Sequence, residues 1–308
     1  MLIEVEPDYY KKLFPLDPHP FVSSPFIELN KLKVDKLVWL VEDTEKPGIG
    51  LIAGLKDGKL LSPFSAPFGG FHFRKEIMYI NEIDNFLDSL KIYISSNKFS
   101  GIDITLPPDI YHQTFNAKTV SSLIRSGFKP SLPEITNWVN LAYFNGIFSQ
   151  KNSKEYYRQA LRNELSFAPS YEESDKEILY ELIYNNRKQF GRPIFMTLND
   201  IRRTSELWPI DFFKVLSADK QLVASAIFYR SHPEICYALF WGDNELGRPL
   251  RAMDFLAFKL WSYYKELGYK FIDLGISTES GIPNEGLLRF KESHESISSV
   301  RFKFKFEV

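Results

Sequence analysis

Two carboxylates, Asp103 and Asp273, stand alone inside apolar runs, Ile102-Asp103-Ile104 and Ile272-Asp273-Leu274-Gly275. An unpartnered carboxylate is costly to bury, so both are expected at strand ends beside a cleft. There Asp103 would serve as a base or orienting group. Asp273 would hold the turn Gly275-Ile276-Ser277-Thr278, with Ser277 available to a substrate. A capping or ion-pair role is the other reading of each carboxylate. Arg289 and Lys291 straddle Phe290. In an extended segment the two cations project to one side and suit a phosphate or carboxylate, unless they form a solvated pair on an exposed edge.

Other chemistries find little support in the residue pattern. The histidines, His19, His72, His112, His232 and His294, show no paired helical spacing and no cysteine partners, so a metal site is not expected. The single cysteine, Cys236, lies in the apolar run Ile235 to Phe240 and reads as a buried structural thiol. No Gly-x-Ser-x-Gly elbow occurs. Covalent catalysis therefore has no support in the residue pattern.

These residues need elements to position them, and the chain has material for two domains. Its 308 residues are 44% hydrophobic and 16% aromatic, enough for two cores. In the first half, strands are expected at Leu37 to Val41, Ile49 to Leu55, Leu60 to Phe64 and Gly101 to Leu106, with a hairpin at Asp57-Gly58. The turn Ser65-Ala66-Pro67-Phe68-Gly69-Gly70 permits close backbone approach, which makes Ser65, Gly69 and Gly70 candidate substrate contacts. Tyr79 to Asn97 carries a helical apolar face, and Val120 to Ser126 is a shorter helix. The polar stretch Ser149 to Lys154 marks a boundary, giving domains 1–148 and 149–308. In the second half, helices are expected at Lys154 to Leu165 and Ser174 to Gln189, the latter capped by Ser174 with Glu177. A meander follows at Phe212 to Trp241, then a helix from Met253 to Leu267 stopped by Gly268, a strand at Phe271 to Leu274, and a last strand at Val300 to Val308. Hairpin, helix and strand thus recur in both halves, as after duplication of one α/β unit enclosing a shared cleft.

Charge sets limits on partners. With 38 Lys+Arg against 39 Asp+Glu there is no broad positive field, so DNA is not an expected partner. Arg301, Lys303 and Lys305, joined by Lys151, Lys154, Arg158 and Arg162, form the nearest thing to a nucleic-acid footprint, and lysines and arginines on exposed strand and helix faces are the other reading. No stretch has the length of a membrane span, and Met1 to Glu6 is unlike a signal peptide, so a cytoplasmic protein is expected.

The segment from Trp241 through Gly268 and Phe271-Ile272-Asp273-Leu274-Gly275 to Gly286-Leu287-Leu288-Arg289-Phe290-Lys291 resembles the C-terminal half of FemABX-type aminoacyltransferases, relatives within the GNAT acyltransferase superfamily. The family's glycine-phenylalanine-glycine turn after Phe-Lys is replaced by Glu292-Ser293-His294-Glu295. The resemblance implies an α/β (α+β) fold of two tandem GNAT-like domains, each a mixed, largely antiparallel sheet flanked by helices. It further implies transfer of an acyl or aminoacyl group to an amine, with a peptidoglycan precursor or other glycoconjugate as acceptor. No permanently bound cofactor is implied; acyl-CoA or aminoacyl-tRNA is the donor substrate. The family's pyrophosphate loop corresponds to Arg248-Pro249-Leu250-Arg251-Ala252-Met253, where both glycines are missing and Arg248 and Arg251 are the candidate phosphate contacts. Within that frame Asp103 and Lys291 are the candidate catalytic residues, and Ser65, Gly69, Gly70, Asp273, Ser277 and Arg289 the substrate contacts. The alternatives are a GNAT-like binding module for a sugar or peptide that has lost its chemistry, and a small-molecule N-acetyltransferase using acetyl-CoA.

Overall fold

The structure, a computed structural model, describes residues 1–308 except Glu76 and Pro193. It divides into two compact units. The first holds Met1–Ile135, Ser280–Ile282 and Ser299–Val308, and the second Thr136–Glu279 and Pro283–Ser298. The sequence boundary at 148/149 therefore falls inside the second unit, and the C-terminal residues return to the first.

The first unit is built on strands β1 (Leu2–Glu4), β2 (Lys36–Glu42), β3 (Ile49–Lys56), β4 (Lys59–Ser62), β5 (Phe71–Phe73), β6 (Gly101–Thr105) and β7 (Lys129–Pro130). The sheet runs β1-β2-β3-β4-β6, then the strand Lys303–Glu307, then β7, with β5 paired to β3. Asp57 and Gly58 both have positive φ, 49° and 73°, which closes the β3–β4 hairpin at the expected place. Its helices are α1 (Pro7–Leu13), α2 (Ser24–Leu29), α3 (Ile80–Ser96) and α4 (Asp109–Arg125). Ile83, Phe86, Leu87, Leu90 and Ile94 of α3 are buried in the main core with Val38, Leu60, Ile102 and Phe304. Helix α4 begins well before Val120. It contains a non-helical residue, His112 (φ −167°, ψ 80°), close to its start.

The sheet of the second unit contains β8 (Glu134–Asn140), β9 (Ser166–Ser170), β10 (Ile210–Leu216), β11 (Leu222–Tyr229), β12 (Ile235–Asp243) and β13 (Phe271–Ile276), ordered β8-β13-β12-β11-β10-β9, with the strand Ser296–Arg301 on the outer side of β8. Helices α5 (Lys151–Arg162), α6 (Glu173–Gln189), α7 (Leu198–Thr204), α8 (Ala252–Glu266) and α9 (Glu285–Ser293) surround it. Helix α8 is buried through Phe255, Leu256, Leu260, Trp261 and Tyr264 against Val215, Val223, Phe228 and Ile272. Three expectations need correction. The N-cap of α6 is Glu172, so Ser174 lies within the first turn and caps nothing. Arg289 to Lys291 is helical, not extended, so Arg289 and Lys291 do not share a side. The last strand is two strands, Ser296–Arg301 and Lys303–Glu307, and of its alternating apolar residues only Phe304 is fully buried while Val300 and Val308 are exposed.

Each unit holds a parallel strand pair joined through a helix, β4–α3–β6 and β12–α8–β13. Asp103 and Asp273 occupy the same place in them, on the strand after the helix, paired with Leu61 and Tyr237.

Candidate functional site

In the second unit the parallel pairing of β12 with β13 covers only Ile235↔Phe271, Cys236↔Ile272 and Tyr237↔Asp273. Both strands run on, but no longer as partners. A glycine is needed at the parting: Gly275 has φ +66°, and the register of β13 against β8 is broken between Asp273 and Ile276. The fork opens a cavity of about 510 Å³ lined by Ala238, Leu239, Trp241, Gly242 and Asp243 from β12 and by Leu274 and Ile276 from β13. Met253 of α8, Phe290 and Lys291 of α9, and Asn186, Arg187, Phe190, Arg192 and Asn284 complete the wall.

Parted strands leave backbone groups without a ladder partner, and these need satisfaction elsewhere. Lys291, 1% exposed, supplies it. Its Nζ donates to the carbonyls of Leu274 (2.9 Å), Gly275 (3.0 Å) and Ile276 (2.9 Å). Asp273 Oδ1 accepts the Gly275 N–H at 2.8 Å. Ser277 is buried, its Oγ bonded to Asn137 Oδ1 at 2.5 Å, and Asn137 Nδ2 reaches Ser298 Oγ at 2.9 Å. Arg289 is exposed and does not line the cavity.

Asp243 ends β12 inside the cavity. Burial pushes its carboxyl above the ordinary range, against the opposing pull of Arg248, whose Nε is 3.7 Å away. Asn186 Nδ2 donates to its backbone oxygen (2.6 Å) and lies 3.3 Å from its Oδ1. A carboxyl raised toward the working pH is the kind of group that accepts a proton from an amine.

The segment before α8 makes its own contacts. Arg248 Nη2 donates to Gln189 Oε1 at 2.7 Å, with the guanidinium 5.2 Å from the Phe190 ring centre. Arg251 adopts left-handed φ (+61°) at the N-cap of α8 and stacks its guanidinium 3.8 Å from the Tyr156 ring centre. On α5, Arg158 and Arg162 pair with Glu155 at 3.9 and 3.1 Å.

The remaining candidates fall in the first unit. Asp103 Oδ1 lies 2.7 Å from Lys59 Nζ, and its Oδ2 lies 3.0 Å from Lys303 Nζ. Burial would raise its carboxyl, but hydrogen bonds from the two ammoniums outweigh that and hold it below the usual range. Ser65 Oγ donates to Asn30 Oδ1 at 3.0 Å and accepts from Lys33 Nζ at 2.7 Å. The Gly69 N–H goes to Thr105 O (2.8 Å) and the Gly70 N–H to Ser62 Oγ (3.1 Å). A Cβ on Gly69 would come within 2.7 Å of the Ser62–Pro63 backbone. Gly69 therefore has a packing reason to be there, and Gly70, at φ +111°, a backbone one.

Burial pushes the Cys236 thiol well above its ordinary value, an environment that makes it inert. Among the described residues no group of three His, Cys, Asp or Glu side chains is placed to hold a metal ion. Nor is any described helix long and apolar enough to cross a membrane.

Asp243, Arg187, Arg192 and Asn284 were not singled out from the sequence. The available signal was Gly191, two residues after the end of a helix that carries Arg187, with Arg192 directly following.

No protein-family model and no curated protein matches the chain. Solved structures do. FemX is similar over 100% of this chain and 97% of its own, at 12% identity and TM-score 0.68. A tandem GNAT protein from the clavulanic acid biosynthesis pathway is similar over 100% and 98%, at 10% identity and TM-score 0.59. L-PGS from Bacillus licheniformis is similar over 98% and 92%, at 13% identity and TM-score 0.57. With two mixed, largely antiparallel sheets flanked by helices and a forked parallel pair in the second, the chain has the tandem GNAT fold of the FemABX type.

Proposed function

We propose that the protein is an acyl- or aminoacyltransferase and that transfer takes place in the cavity where β12 and β13 part. The single observation that carries this reading is the position of Asp243, a carboxyl at the end of β12 that lines an aromatic-walled cavity, where burial raises it. The acceptor amine attacks the donor carbonyl carbon, forming the C–N bond as the bond to the leaving sulfur or oxygen breaks. Ionised Asp243 takes the proton that the nitrogen loses, and the leaving group departs as thiolate or alkoxide and is protonated by water. Lys291 and Asp273 act by holding the Gly275 peptide in place, which keeps the fork open.

The donor is an activated acyl group used as a substrate. The neighbour from the clavulanic acid pathway is named with reference to AcCoA, which favours acyl-CoA here; aminoacyl-tRNA is the other candidate. A cell-wall or glycoconjugate precursor is the proposed acceptor class.

A second reading, a binding module for a sugar or peptide that has lost its chemistry, is favoured by one observation. Arg248 and Arg251, the cations before α8, are engaged with Gln189, Asp243, Phe190 and Tyr156. Incubation with acetyl-CoA or charged tRNA and a panel of amines, read by mass spectrometry, separates the two. Amide product lost in Asp243→Asn supports transfer. Capture of a glycan or peptide without product from either donor supports the module.

A further inference from the structure

Helix α6 ends in a turn that brings two arginines together. Gly191 has φ +68°, its N–H bonds Lys188 O at 3.0 Å, and the Arg192 N–H bonds Arg187 O at 2.9 Å. This is the Schellman arrangement, which folds the chain back over the last helical turn. Both arginines line the cavity. Arg187 Nε is buried with no hydrogen-bond partner among the described residues. Burial first, then the neighbouring charge of Arg192, pushes the Arg187 guanidinium below its usual range. Arginine stays charged even so, and the cost of holding two such cations together is relieved when an anion sits between them.

Among the described residues of the lining the one carboxylate, Asp243, lies against Arg248 and Asn186. Asn284 lies beside Arg192 in the lining, where its Oδ1 caps α9 by accepting the Leu287 N–H at 3.3 Å. Guanidinium forks match the oxygens of a carboxylate or phosphate, and a paired set gives orientation as well as affinity.

We infer that Arg187 and Arg192 form an oxyanion-recognising subsite, so that the acceptor is an amine carrying its own carboxylate or phosphate. This rests on the reading of the cavity as the acceptor site. The anion anchors the acceptor at the Arg187–Arg192 end and leaves the amine free to reach Asp243. Neutral amines of the same size lack that anchor.

Binding measured without any donor tests the subsite apart from catalysis. The probes are O-phosphoethanolamine, β-alanine and n-propylamine, followed by calorimetry and ligand-observed NMR, with inorganic phosphate as competitor. Saturable binding of one anionic amine, displaced by phosphate and weakened about tenfold or more in both Arg187→Gln and Arg192→Gln, is expected. The preferred probe tells phosphate from carboxylate. Arg187→Lys, which keeps the charge and loses the fork, is expected to fall between, and unchanged circular dichroism shows that the variants fold. Binding of n-propylamine as strong as that of the anionic amines, indifference to both substitutions in folded protein, or no saturable binding of either anionic amine overturns the inference. Anion binding with no transfer to any acceptor would instead sink the proposed reaction and leave the subsite standing.

Discussion

Lys291 and Asp273 hold the two polar groups of a single residue: the ammonium takes the Gly275 carbonyl at 3.0 Å and the carboxylate takes its N–H at 2.8 Å. Where β12 no longer runs beside β13, these side chains replace the missing strand. The fork is a built feature of the sheet, kept open by a buried cation and a buried anion acting on backbone.

The first prediction concerns that cation. Lys291→Met leaves the carbonyls of Leu274, Gly275 and Ile276 without their donor, and the unfolding free energy measured in urea is expected to fall by about 3 kcal/mol. Loss of stability and of activity together marks support of the fork. Full stability with lost activity would indicate direct chemistry by Lys291.

Asp243 gives a pH signature. Its folded-state pKa is raised above the ordinary carboxylate value of 3.8, so the folded protein holds the proton more tightly than the unfolded chain. That contribution is present below pH 3.8 and is lost as pH rises through the raised value. Asp243→Asn is expected to flatten this part of the stability profile in pH-dependent urea melts. In transfer assays the wild-type rate rises across the same interval as the base ionises, and the variant lacks that limb.

Asp103 behaves oppositely. Its carboxyl is held below 3.8, so the contribution of its pairing with Lys59 and Lys303 is present above that value and is lost as pH falls through the lowered one. Asp103→Asn is expected to cost about 1 kcal/mol at neutral pH by thermal melting, because the pair is partly exposed to solvent. Transfer activity should be retained; its abolition in a fully folded variant would return Asp103 to the chemistry.

Gly191→Ala tests the turn that pairs the arginines. No atom crowds the position, so only the left-handed backbone opposes a side chain, at about 1 kcal/mol in thermal melts. Anionic amines are expected to bind more weakly as Arg192 shifts, while neutral ones are unaffected.

The buried contact between α8 and α9 is suited to a rescue experiment. His294 Nε2 lies 3.1 Å from Asp254 Oδ1, and its Nδ1 lies 2.6 Å from Phe290 O, which ties α9 to α8. His294→Ala strands Asp254 in the interior and is expected to cost about 3 kcal/mol in denaturant. The double change with Asp254→Leu should recover part of the loss; a double variant weaker than the sum of the single ones would refute the pairing.

Much of the architecture was legible because apolar periodicity reports burial. The Asp57-Gly58 hairpin, the apolar face of α3 and the long helix after Trp241 all carry their pattern within one element. What escaped depends on residues distant in the chain. Arg289-Phe290-Lys291 alternates like a strand yet is helical, because Lys291 turns inward to carbonyls supplied by β13. Asp103 was read as reactive, but its partners Lys59 and Lys303 lie on two other strands. Asp243 ends an apolar run and gave no sign of its raised carboxyl, since burial by the surrounding wall, not its neighbours in sequence, raises it.

The strand Lys303–Glu307 lies between β6 and β7 and sends Phe304 into the core of the first unit, although every strand of β8 to β13 precedes it in the chain. On the ribosome the half that emerges first must therefore wait, with a gap in its sheet, while the half that emerges later already has β8 to β13. Domains normally fold in the order of their synthesis. Here the early half is completed last, and a nascent chain stalled before Lys303 would present two open sheet edges to whatever chaperone or neighbour it meets.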